Sequence, residues 1–71
     1  MTEQLRAALA ILRRAQVESE TGLSRSTIYA RIKNKTFPAP IQLGPRAVGW
    51  RRGQIDDFLA NPAGYRASEV A

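Results

Sequence analysis

Within Thr21-Gly22-Leu23-Ser24 the chain both ends one helix and begins another. Glycine supplies the left-handed backbone that closes a helix. A serine two residues later offers its hydroxyl to the free amides of Ser26 or Thr27, as a helix cap does. A stop and a start this close force two short helices to cross at an angle instead of continuing as one rod. The first is predicted over Arg14 to Thr21 and the second over Arg25 to about Asn34, where Asn34-Lys35 ends it. Val17 lies five residues before Gly22, Leu23 directly after it, and Ile28 five after Leu23, which places an apolar wedge between the helices. Ile28 and Ile32, four apart, mark the buried side of the second helix.

Other segments follow from local chemistry. Thr2 to about Ile11 reads as a helix capped by Thr2, with Leu5, Ala8, Leu9 and Leu12 forming one apolar stripe. Neither Gly nor Pro separates it from Ala15–Thr21, so local signals leave open whether residues 3–21 form one helix or two. Pro38 and Pro40 hold Thr36 to Pro40 extended, with Phe37 as a plug on the core. Ile41-Gln42-Leu43 alternates in, out, in, and Val48-Gly49-Trp50 does the same. Gly44-Pro45-Arg46-Ala47 between them is turn chemistry, so the pair makes a β-hairpin with Trp50 as a core residue beneath it. A last helix runs from Arg52 to Asn61, apolar through Ile55, Phe58 and Leu59, and Asn61-Pro62 stops it. Residues 62–71 carry little apolar content and are expected to fray as a flexible tail. The fold class is mainly α with a small β-hairpin: a winged helix-turn-helix.

Composition narrows the chemistry. The 71 residues contain no cysteine, so there is no disulfide framework and no thiolate metal site. They also contain no histidine, which removes the usual general base near neutral pH and the commonest transition-metal ligand. The adjacent carboxylates Asp56 and Asp57 diverge by about 100° on a helix and cannot share one site. No enzyme, cofactor or metal is expected. The run Ala7 to Leu12 is too short for a signal-peptide core or a membrane span, so the expected location is the cytoplasm, away from membranes.

Charge points to a partner. Between Thr21 and Ile55 stand seven basic residues (Arg25, Arg31, Lys33, Lys35, Arg46, Arg51, Arg52) and no acid, within a formal net charge of +5. An acid-free basic stretch of that length implies an anionic partner. With Ile28 and Ile32 inward, Ser26, Ala30 and Lys33 lie opposite, Thr27 and Tyr29 flank them, and Arg25 sits in the first turn. That face is small, polar and basic, and suits the major groove of B-form DNA. Several side chains also have structural readings. Ser24 is a cap more than a base contact, Thr27 can serve the capping turn, and Tyr29 can lie on the core edge. The stem of Arg31 can cover apolar surface, and Lys35 is solvated. Arg46 at the hairpin tip suits a phosphate backbone or a narrow minor groove, and Arg51 and Arg52 suit phosphate where the wing returns to the body.

Three stretches carry a family resemblance: Thr21-Gly22-Leu23-Ser24-Arg25-Ser26-Thr27-Ile28-Tyr29, Phe37-Pro38-Ala39-Pro40-Ile41-Gln42-Leu43-Gly44, and Arg46-Ala47-Val48-Gly49-Trp50-Arg51. Together they resemble the AlpA-like family of phage and prophage regulators, which is related to excisionases and similar to half of the MerR-type DNA-binding domain. The resemblance implies a winged helix-turn-helix with Arg25, Ser26, Thr27 and Tyr29 facing DNA and Arg46 on the wing. It also implies a break near Leu12, where family members often place a short strand. The chain departs from the family at Ala15-Gln16, where Pro-Glu often opens the helix, and at Glu18, where a small or apolar residue is common. The expected organisation is an N-terminal helical segment (1–12), a winged helix-turn-helix DNA-binding domain (13–61) and a C-terminal tail (62–71). The expected function is sequence-specific binding of double-stranded DNA by a transcriptional regulator. The alternatives are an architectural excision factor assisting a phage-type integrase and, from another class, a protein-interaction module using Leu5, Leu9 and Leu12. One helix-turn-helix reads few base pairs, so tight specificity implies paired sites, a homo-oligomer on DNA or a bound partner.

Overall fold

The computed structural model describes residues 3–67. Seven elements follow in order: α1 (Glu3–Leu9), β1 (Ile11–Arg13), α2 (Arg14–Thr21), α3 (Arg25–Lys33), β2 (Ile41–Gly44), β3 (Ala47–Arg51) and α4 (Arg52–Ala60). The three strands form one antiparallel sheet in the order β1-β3-β2. The hairpin expected from sequence is present, and β1 adds the strand that the family resemblance implied.

The first helix is shorter than its periodicity predicts. It ends at Leu9 instead of Ile11, and Leu12 leaves the helical stripe to enter the sheet opposite Trp50. No local breaker stops it; non-local pairing does, overriding good intrinsic propensity. The Ala10 carbonyl accepts from the Arg52 amide at 2.8 Å, and Ile11 to Arg13 take up β3 as partner. The stripe is dismantled as a result: Leu12 is core, while Leu9 is 43% exposed. Thr2 lies outside the described residues, as does the side chain of Leu5. The boundary drawn between residues 12 and 13 falls inside β1, and α1 packs on α4, where Gly53 lies against Ala8.

The core is Leu12, Val17, Ile28, Phe37, Trp50, Ile55 and Phe58, with Leu23, Ile32, Val48 and Tyr65 packed around it. Phe37 is the plug that the two prolines position, with its ring edge-on to Trp50 at 6.3 Å and 4.7 Å from Phe58. Trp50 buries its indole and donates its N–H to the Pro38 carbonyl at 2.8 Å, so no polar cost remains.

The sheet corrects the facing expected for β2. Ile41 pairs with Gly49 and so lies on the face opposite Trp50, and Leu43 is 44% exposed on that outer side. The core beside Trp50 is already filled by Phe37 and Pro38. On the other face Gly49 leaves a gap that Ile11 and Leu43 close. A Cβ there would stand 2.5 Å from Ile11 Cγ2 and 3.1 Å from Leu43 Cδ1. A bulge between Gln42 and Gly44 resets the strand before the turn.

The segment after α4 is held against the domain through Ala67, in contrast to the fraying expected of it. Tyr65 meets Phe58 edge-on at 5.7 Å, and the Ala67 amide donates to the Lys35 carbonyl at 2.8 Å. Residues 68–71 of the expected tail lie outside the described residues.

Candidate nucleic-acid interface

The α2–α3 corner forms as its sequence demands. Gly22 takes φ +73° and its amide donates to the Glu18 carbonyl at 2.8 Å. Thr21, which sequence reasoning passed over, stitches the turn: its hydroxyl donates to the Val17 carbonyl at 2.8 Å and accepts from the Leu23 amide at 3.2 Å. Val17 and Ile28 are fully buried in the core and Leu23 packs against it, so the apolar wedge fixes the crossing. Ser24 caps α3, accepting from the Thr27 amide at 3.3 Å and donating to the Thr27 hydroxyl at 3.0 Å.

The two departures from the family pattern have local replacements. Without a Pro-Glu start, α2 still begins at Arg14, because the Gln16 side chain accepts from the Arg13 amide at 2.8 Å. Glu18 does not obstruct the crossing, because its carboxylate turns aside to pair with Arg14 at 3.2 Å.

Capping and burial of α3 on one side leave Arg25, Ser26, Thr27, Tyr29, Ala30 and Lys33 exposed on the other. Arg25 lies over the Tyr29 ring at 5.9 Å, four residues along the helix, which steadies both side chains on the outer surface. Tyr29 is 36% exposed and is not among the partly buried hydrophobics packed on the core. Thr27 keeps its hydroxyl on Ser24. Arg31 turns the other way, over the Phe58 ring at 5.6 Å.

The hairpin turn Pro45-Arg46 presents an exposed Arg46 that has no hydrogen bond or ion pair among the described residues. Arg51 and Arg52 are placed differently from this tip. Arg51 sits at the far end of β3, roughly 16 Å along the strand. Its guanidinium donates to the Leu9 carbonyl, bracing α1 against the sheet. Arg52 is spanned by two carboxylates, Glu20 at 3.6 Å and Asp56 at 3.9 Å, and ties α2 to α4. Both guanidiniums thus make contacts within the molecule that sequence spacing could not show.

Sequence reasoning also left out Arg13 and Arg14. With Ala15, Arg46 and Val48 they line a cleft of about 240 Å³ below the wing. The available signal was the Arg13-Arg14 pair at the junction of strand and helix.

No described helix is long and apolar enough to cross a membrane, and no group of His, Cys, Asp or Glu among the described residues could hold a metal ion.

Comparison with known proteins agrees with this architecture. Residues 10–62 match the family model described as prophage CP4-57 regulatory protein (AlpA). The chain is 39% identical over 61 residues to the DNA-binding transcriptional activator AlpA of Escherichia coli (strain K12), covering 78% of this chain and 87% of that protein. It is also 39% identical over 49 residues to the uncharacterized protein ORF88 of Enterobacteria phage P4, covering 69% of this chain and 56% of that protein. No solved structure matches. With the family model spanning β1 through α4 and the helix-turn-helix and hairpin both in place, the chain belongs to the AlpA family of prophage regulatory proteins.

Proposed function

We propose that this protein is a sequence-specific regulator of transcription that binds duplex DNA. It inserts α3 into the major groove and lays the 44–47 wing on the backbone or in the adjoining minor groove. The carrying observation is the outer face of α3. Arg25, Ser26, Thr27, Tyr29, Ala30 and Lys33 are all exposed there, with no acidic residue on the helix, and Arg46 stands exposed on the hairpin turn. The small residues on this face allow close approach to base edges, and Arg25 has the fork that pairs with guanine. The naming of the E. coli relative as a transcriptional activator supports regulation ahead of an architectural role in excision. A short α3 reads few base pairs, so a second copy on a paired site, or a bound partner such as an integrase, supplies the remaining specificity.

We assign the protein no catalytic step and place it in the cytoplasm with the DNA. Of its adjacent carboxylates, Asp56 is paired with Arg52. The test is repeated selection of duplexes from a random pool by the purified protein. The expected result is a defined consensus that Arg25→Ala flattens at one position; failure to enrich any sequence would contradict the reading.

A further inference from the structure

We propose that the cleft below the wing is a docking site for a backbone phosphodiester of duplex DNA, gripped by Arg13, Arg14 and Arg46. This rests on the DNA-binding reading and adds a contact that neither the outer face of α3 nor the wing tip alone would make.

Three arginines from three places in the chain line one cavity: at the end of β1, the start of α2 and the hairpin turn. The remaining lining residues are Ala15 and Val48; no acidic side chain lines the wall, and Glu18 meets it only through the Arg14 Nε. Like charges gathered around one cavity repel unless an anion enters it.

The arginines retain donors for such an anion. Arg13 spends its Nε–H on the Val48 carbonyl at 3.2 Å, and Arg14 spends its Nε–H on Glu18 at 3.2 Å. Each keeps its terminal nitrogens, whose planar fork matches two oxygens of a phosphate. Arg46 spends none of its donors among the described residues. The first turn of α2 forms part of the wall and adds a dipole of the same sign.

Size limits the ligand. About 240 Å³ is less than the roughly 300–1,000 Å³ of sites that enclose a whole small molecule, and suits a single anionic group. The turn that bears Arg46 leads into β3, which holds Val48, whose carbonyl anchors Arg13. Wing placement and cleft geometry are therefore coupled.

The test compares binding of a 30-base-pair duplex of arbitrary sequence by fluorescence anisotropy at low and moderate salt, using the full chain. Arg14→Gln carries the comparison, because Arg14 makes only the helical pair with Glu18. Arg13→Gln/Arg14→Gln extends it, with circular dichroism to confirm folding. Arg6→Gln, on exposed α1, is the charge-matched control. Arg14→Gln is expected to weaken binding about tenfold and make the salt slope shallower by about one, with Arg6→Gln unchanged. Glu18→Gln, which releases Arg14, is expected to strengthen binding by about twofold to fivefold.

Equal affinity and slope for Arg14→Gln and Arg6→Gln, with wild-type binding still salt-dependent, would overturn the phosphate site and leave the DNA reading standing. Wild-type protein that binds no duplex would overturn both. Inorganic phosphate, titrated while observing the Ala15 amide and the Arg14 Nε–H by NMR, separates the sources. Saturation by phosphate alone, with duplex affinity indifferent to Arg14, would make the cleft a free-anion site and overturn the proposal.

Discussion

Two residues adopt left-handed backbone, one at the α2–α3 corner and one beyond the end of α3, and they differ in cost. Gly22 adopts φ +73° with nothing within 4 Å of a would-be Cβ, so replacing it incurs backbone strain alone. Lys35 adopts φ +64° just beyond α3 with a full side chain. Gly22→Ala is expected to lose about 1 kcal/mol and Lys35→Gly to gain about 0.5–1 kcal/mol in urea denaturation. The same sign for both would refute the strain account. Trp50 acts through packing: it is fully buried, edge-on to Phe37, and bonded to the Pro38 carbonyl. Trp50→Ala is expected to cost about 3–5 kcal/mol, much of the stability of so small a domain, and to appear as a lowered melting temperature in circular dichroism. Wild-type melting with lost DNA binding would show instead that the indole is a contact residue. Tyr65 gives a pH signature. Burial first, and the Asp57 carboxylate second, hold its phenol above the ordinary value of 10.0. The stability it contributes is complete below that value. It is lost as the pH climbs past it, because the unfolded chain then gives up the proton first. Tyr65→Phe should therefore reduce the alkaline loss of stability, and an unchanged pH profile would deny the shift.

At the scale of elements, helices and turns marked by local chemistry could be read from sequence, and elements defined by distant partners could not. Arg14–Thr21 carries its own end in Gly22, and α3 its own start in Ser24, so both spans follow from neighbouring residues. The end of α1 is set by β3 and the Arg52 amide, about forty residues away in sequence, and nothing near Leu9 announces it. Leu43 alternates correctly but faces outward, because the side chain that matters is the one Gly49 lacks on the paired strand. The same distinction governs the candidate interface. The outer face of α3 follows from helical periodicity, whereas the engagement of Arg51 with Leu9 and of Arg52 with Glu20 depends on tertiary placement. The two elements of the interface are expected to divide their roles. Arg25→Ala should lower affinity for a selected site more than for scrambled DNA, by about 1–3 kcal/mol, because α3 is proposed to meet base edges. Arg46→Ala should weaken both alike and make the salt slope shallower by about one. Paired titrations on the two DNAs decide it. Equal losses for Arg25→Ala would make it a phosphate clamp, and a loss confined to the selected site for Arg46→Ala would make the wing a reader.

Over the whole molecule, charge is segregated by element. The acidic side chains described lie on α2 and α4, where Glu18, Glu20 and Asp56 pair with arginines of the body. The span from Thr21 to Ile55, which includes α3 and the hairpin, carries seven cations and no acid. The half-exposed ion pairs contribute little to stability individually. The central proposal is that the surface of α3 and the hairpin binds the DNA backbone electrostatically while α3 reads sequence. It is tested most directly by fluorescence anisotropy of the wild-type chain on a labelled duplex across a salt series. If roughly four to six phosphates are neutralised, log K falls against log salt with a slope near −4 to −5; a flat dependence would contradict the claim and remove DNA as the partner.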